Sequence, residues 1–237
     1  MPRSHEASLG GEALPAVILA LTMVSGMVDA ISFLGLGKVF TGMMTGNVVV
    51  LGFAFGGVPG YSDLAPLVAI AAFVTGIVLA GLGERLATRR GRQHWFCYAL
   101  TAEAAFLAAA TALAWLAPAP APAARHTITA LLALTMGTHC AAVRRLAVPD
   151  LVVTFGLTGA LIGLVQDSGG LRHGSRQAAR RLGVILALTA GAALGAALVE
   201  YAGLRWSLLC AAAMVATIAA AAQAVPSALK PSPGTAG

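Results

Sequence analysis

The chain has 237 residues, of which 58% are hydrophobic and 10% charged, with a mean hydropathy of +0.84. Soluble domains carry about 25% charged residues, so this composition excludes a water-soluble globular protein and makes lipid the solvent. The formal net charge of +6 does not point to nucleic acid, because the basic residues cluster in short segments between apolar runs, where they set membrane orientation.

Eight apolar stretches follow one another: 13–37, 39–57, 64–84, 95–117, 127–143, 151–167, 182–200 and 204–225. The head 1–12 and the Pro/Ser/Gly-rich tail 226–237 are expected to be disordered. The first stretch is too long for a signal-peptide core and lacks an Ala-x-Ala exit, so it is expected to remain as the first spanning helix. Within it lies Asp29, well away from either end. A carboxylate at the bilayer centre costs about 2.5–3.5 kcal/mol, so it needs a partner or a water-filled cavity. One reading makes Asp29 a protonatable or cation-coupling group. The other makes it a cap for nearby backbone, or a partner of Lys38.

The second stretch opens with Thr41-Gly42-Met43-Met44-Thr45-Gly46-Asn47, which mixes glycines with side chains that donate and accept hydrogen bonds. Such a run suits an unwound backbone lining a solute or ion path, or one that satisfies its own broken hydrogen bonds. Gly56-Gly57-Val58-Pro59-Gly60 then marks a turn. The third stretch ends in the arginine-rich segment 85–94, and the fourth carries Glu103, a second candidate carboxylate. A stiff connector, Pro118-Ala119-Pro120-Ala121-Pro122, lies within the linker 118–126. His139 lies in the fifth stretch, and the sixth contains Thr154-Phe155-Gly156-Leu157-Thr158-Gly159-Ala160. Cys97, Cys140 and Cys210 fall inside apolar segments with neither CxxC nor histidine spacing, and read as small buried hydrophobes. Hydrolase, nucleotide and metal-protease motifs are missing, so neither an enzyme nor a metal or cofactor is expected.

Two stretches match at an offset of 113 positions without a gap. Ala20-Leu21-Thr22-Met23, Thr41, Thr45-Gly46 and Leu51 reappear as Ala133-Leu134-Thr135-Met136, Thr154, Thr158-Gly159 and Leu164. This offset sets Asp29 against Ala142, Asn47 against Ala160 and His139 against Gly26, one turn from Asp29, where an Asp–His proton relay is conceivable. The positive-inside rule gives the repeat a direction. Eight crossings would put Arg172, Arg176, Arg180 and Arg181 outside. If 39–57 and 151–167 enter and return, twelve of fifteen Lys/Arg lie on the cytoplasmic side, and only Lys38, Arg125 and Arg205 face out. Each half, 13–117 and 127–225, then has three crossings, so the second must be inverted relative to the first.

The expected architecture is therefore an all-α membrane protein of six transmembrane helices, arranged as two inverted three-helix repeats with a re-entrant segment after the first helix of each. Both termini are expected in the cytoplasm of a bacterium, with the chain in its inner membrane. The expected function is secondary transport of a small solute, with protons as a coupling partner. The path candidates are Asp29, Thr41, Thr45, Gly46, Asn47, His139, Thr158 and Gly159, with Glu103 secondary. A passive channel and a non-transporting membrane scaffold are the alternatives, and a bundle of this size is compatible with a homodimer.

The run Gly26-Met27-Val28-Asp29-Ala30-Ile31-Ser32-Phe33 followed by Thr41-Gly42-Met43-Met44-Thr45-Gly46-Asn47 resembles the signature of the YoaK-like family of bacterial membrane proteins. The resemblance extends over most of the chain, including Gly137 to Arg145 and Thr158-Gly159, although His139 stands where a Gln is expected. It implies a multi-pass membrane fold of the kind described as transporter-like, without a defined function.

Overall fold

The computed structural model describes residues 3–87, 92–117, 121–146, 157–166 and 175–224. The described residues are helical almost throughout, in eight helices: α1 (Arg3–Gly35), α2 (Met44–Phe55), α3 (Leu64–Ala87), α4 (Arg92–Leu116), α5 (Pro122–Leu146), α6 (Leu157–Gln166), α7 (Ser175–Ala202) and α8 (Leu204–Ala224). Six of these contain apolar spans of 20 to 25 residues, enough to cross the hydrocarbon core. α2 and α6, with 12 and 10 residues, reach only about 18 and 15 Å at 1.5 Å per residue, and neither can cross alone.

Two boundaries differ from the sequence expectation. α1 begins at Arg3, so the helix takes in most of the head read as disordered, where Glu6, Ala7, Leu9 and Glu12 are strong helix formers. α5 begins at Pro122, inside the expected linker, because proline at the first helical position sacrifices no backbone bond. The tail beyond Ala224 and residues 151–156, with Thr154 and Gly156, lie outside the described residues.

The helices pair across the two halves. α1 packs most extensively on α7, and α3 on α5, while α4 lies against both α8 and α5, and α1 also meets α8. Exchanging α1–α4 with α5–α8 turns this set into itself: α1–α7 becomes α5–α3, α4–α5 becomes α8–α1, and α2–α3 becomes α6–α7. The two main interfaces also close by the same device. A Cβ at Gly26 would strike the Leu188 carbonyl of α7, and one at Gly191 the Met23 carbonyl of α1. In the other interface Gly137 faces the Phe73 carbonyl and Gly76 the Leu134 carbonyl. Such backbone-to-backbone approach drives helix association in lipid, where burying apolar surface provides no force of its own.

These contacts correct the uniform 113-residue offset. Gly26 and Gly137 are 111 positions apart, Gly76 and Gly191 are 115 apart, and only the Thr-Gly pairs between them keep 113. Two residues have thus been added on each side of Thr158-Gly159. In this register Asp29 corresponds to Cys140, not Ala142, and Gly26 to Gly137, not His139.

Candidate functional site

Two polar groups lie within the spans. The first surrounds the connection between α1 and α2. After Gly35 the chain reverses through Gly37 (φ 115°) and Lys38 (φ 60°) and runs back along α1. Ser32 Oγ donates to the Val39 carbonyl at 2.7 Å, and the Thr41 and Gly42 amides donate to Asp29 Oδ1 at 2.8 and 2.7 Å. Thr41 Oγ1 donates to the same oxygen at 3.2 Å. Asn47, from the first turn of α2, accepts from the Phe40 amide at 2.9 Å and donates to the Phe40 carbonyl at 2.7 Å. Side chains thus take the place of helical partners for the Phe40, Thr41 and Gly42 amides and the Val39 and Phe40 carbonyls, as non-helical backbone at membrane depth requires.

Asp29 lies six residues before the end of α1, so the reversal carries the chain back by about 9 Å along the helix. α2 then rises again. Phe53, near its end, stacks edge-on against Tyr61 at 5.3 Å, and the Lys38 ammonium sits 4.7 Å above the Tyr61 ring. The segment 36–61 therefore starts and finishes at the same end of α1. Gly46 is required by the same fold-back, since a Cβ there would lie 2.7 Å from the Phe40 ring, which stacks on Phe33 at 4.7 Å. Thr45 is exposed on the outer side of α2 and takes no part.

The second group joins α4 to α5. His139 Nδ1 lies 3.2 Å from Glu103 Oε2, with both side chains almost completely buried, at 3% and 1% exposure. Their other polar atoms, Glu103 Oε1 and His139 Nε2, are buried without a hydrogen-bond partner among the described residues. Leaving such a group unmatched costs about 1–3 kcal/mol in a protein interior, more when it is charged. An imidazole bonded to the carboxylate through Nδ1–H leaves Nε2 as an acceptor, facing the same buried interior as Glu103 Oε1. Cys140, next along α5, lies within electrostatic range of both Glu103 and Asp29.

His139 thus pairs with Glu103, and the Asp29–His139 relay does not form. Thr158 and Gly159 are exposed on α6, and nothing lies within 4 Å of a Cβ at Gly159. Under the corrected register the counterparts of Asp29 and Ser32 are Cys140 and Val143, and the counterpart of Asn47 is Ala160. The segment corresponding to the fold-back, within 147–156, lies outside the described residues.

Comparison with known proteins places these residues in a family. The family described as "Protein of unknown function (DUF1275)" matches residues 17–221. The chain belongs to this family. It is 33% identical over 150 residues to the UPF0700 transmembrane protein YoaK of Bacillus subtilis (strain 168), a match covering 63% of this chain and 65% of that protein. No solved structure matches. The protein is thus a multi-pass membrane protein of the DUF1275 family.

Sequence reasoning did not single out Ser32 and gave Glu103 no partner. A simple signal locates its partner. In two antiparallel helices joined by a tight connection, residues equidistant from the turn meet. Glu103 and His139 each lie 18 positions from Ala121, at the α4–α5 turn.

Proposed function

We propose that this protein is a secondary transporter of a small solute, built from two oppositely oriented halves, and that Glu103 and His139 couple transport to protons. The carrying observation is the buried pair, with one polar atom on each side chain unpartnered among the described residues, inside two helices long and apolar enough to span the membrane. Ionisable groups at such depth are costly and face a partner, a path or a relay. Here the partner is another titratable group, and the remaining valences are free for a proton, a water or a solute. The opposite orientation of the halves is supported by the exchange symmetry of the helix pairing together with the twelve-to-three division of Lys and Arg.

Asp29 takes a different role in this scheme. Its Oδ1 already accepts three hydrogen bonds from the fold-back, so the carboxylate is engaged in holding the connection to α2. It holds the re-entrant segment in place, and the coupling role expected for it passes to Glu103 and His139.

The test is reconstitution into proteoliposomes containing a pH-sensitive dye, challenged with gradients of small organic acids, amines, sugars and nucleosides. The reading expects at least one solute to drive proton movement in the wild type, loss of that movement in Glu103→Gln, and its retention in Asp29→Asn. Proton movement that survives in Glu103→Gln removes the pair from the mechanism. The absence of flux with every solute removes transport.

A further inference from the structure

At the end of the bundle opposite the arginine-rich segments, a cavity of about 530 Å³ opens among the ends of α1, α4 and α7 and the starts of α5 and α8. This volume falls within the range of about 300–1,000 Å³ typical of small-molecule sites. Its walls are apolar and small, with Gly35, Ala117, Ala124 and Ala202 among them, and its only charged lining groups are Arg125 and Arg205. Both arginines belong to the first turn of their helices, α5 and α8, so two helix N-termini add positive potential to the same mouth. Among the described residues neither guanidinium has a carboxylate partner. Arg205 leans over the Trp115 ring at 5.7 Å and reaches only the Ala117 carbonyl, at 3.5 Å, and the Arg125 side chain is exposed.

The floor of the cavity connects it to the buried pair. Ala114 and Ile128 form that floor and are themselves part of the central core. Ala114 lies 11 residues beyond Glu103 on α4, and Ile128 lies 11 residues before His139 on α5. Eleven residues make just over three full turns, so cavity and pair occupy the same faces of the same two helices, about 16 Å apart. Leu107, Leu132 and Met136, all fully buried, fill the space between them.

We propose that this cavity is the external loading site for a small organic anion, a carboxylate on a short apolar body, held by Arg125 and Arg205 with its chain against the alanine walls. Paired, planar guanidinium donors match a carboxylate, and the walls match a hydrocarbon group. The floor belongs to the bundle's interior rather than its lipid-facing rim, which favours a free solute over a phospholipid headgroup. The inference deepens the transport reading by naming the substrate class; it rests on that reading for passage across the membrane, but binding at the cavity stands or falls separately.

Trp206 lines the cavity and Trp115 packs on it at 5.2 Å, so tryptophan fluorescence reports occupancy. The full chain in phosphatidylcholine nanodiscs is titrated with hexanoate, hexanol and hexylammonium. Hexanoate alone should give a saturable change. Arg125→Gln should weaken it about tenfold, the equivalent of one charge-assisted hydrogen bond, while Arg125→Lys retains most of it. Arg125 is exposed and its side chain makes no hydrogen bond or ion pair among the described residues, so its variants should keep the wild-type melting temperature, which serves as the folding control. Equal responses to hexylammonium and hexanoate overturn the proposal, as does an unchanged affinity in Arg125→Gln. A response to added phosphatidylglycerol with none to hexanoate also overturns it, in favour of a lipid contact. Hexanoate binding without any transport would leave the site standing and refute the transport reading alone.

Discussion

Replacing Asp29 by alanine removes the acceptor of the Thr41 amide, the Gly42 amide and the Thr41 hydroxyl at one stroke. The two amides have no alternative within the fold-back, because the neighbouring backbone groups are already bonded to Ser32 and Asn47. At about 1–3 kcal/mol for each orphaned buried donor, the loss is about 2–6 kcal/mol. A chain of this size loses about 2–4 °C of melting temperature per kcal/mol, so Asp29→Ala should melt about 10 °C lower. Asp29→Asn keeps an acceptor in place and exchanges charge-assisted bonds for neutral ones of about half the strength, so its shift should be no more than about half of that. Purified protein in detergent is heated with a thiol-reactive dye, which reports unfolding through Cys97, Cys140 and Cys210. Melting of Asp29→Ala within about 2 °C of the wild type would refute the reasoning, because it would mean that the carboxylate does not hold the connection.

Asn47→Asp preserves shape but replaces the donor to the Phe40 carbonyl with a second acceptor, so it should destabilise the chain by more than Asp29→Asn in the same melting assay. Alanine at Gly26, Gly137 or Gly191 drives a Cβ into a carbonyl of the partner helix and should lower stability and yield, whereas alanine at Gly52 or Gly159, which face open space, should be neutral or stabilising by about 1 kcal/mol. In whole cells of a cysteine-free background, Gly57→Cys and Tyr201→Cys should label with an impermeant reagent from outside, and Leu86→Cys only after the membrane is opened. Labelling of Leu86→Cys from outside in intact cells would refute the proposed orientation.

The membrane class and the six spans were legible because length and apolar composition alone decide them. The fold-back was legible as a motif because its partners are local: Asp29 meets Thr41 and Gly42 twelve and thirteen positions away, and Asn47 meets Phe40 seven away. What those residues do was less legible, since a carboxylate that caps backbone and one that carries protons look alike in sequence. The repeat was visible, but its register was not. In an Ala- and Leu-rich chain the Ala-Leu-Thr-Met coincidence at 113 outweighed the glycines, and only close helix contact shows that Gly26 and Gly137 do the same work. The Glu103–His139 pair depends on how α4 and α5 align, and no local pattern around either residue marks it.

The central claim is that the Glu103–His139 pair links solute movement to protons rather than merely filling the bundle. The most direct measurement compares two modes in proteoliposomes carrying wild type or Glu103→Gln, using whichever solute gives wild-type flux. One mode is accumulation driven by an imposed pH gradient; the other is exchange of labelled for unlabelled solute without a gradient. The account predicts that Glu103→Gln abolishes accumulation and keeps exchange, since the path remains while the proton site is lost. Gradient-driven accumulation at the wild-type level in Glu103→Gln would contradict it.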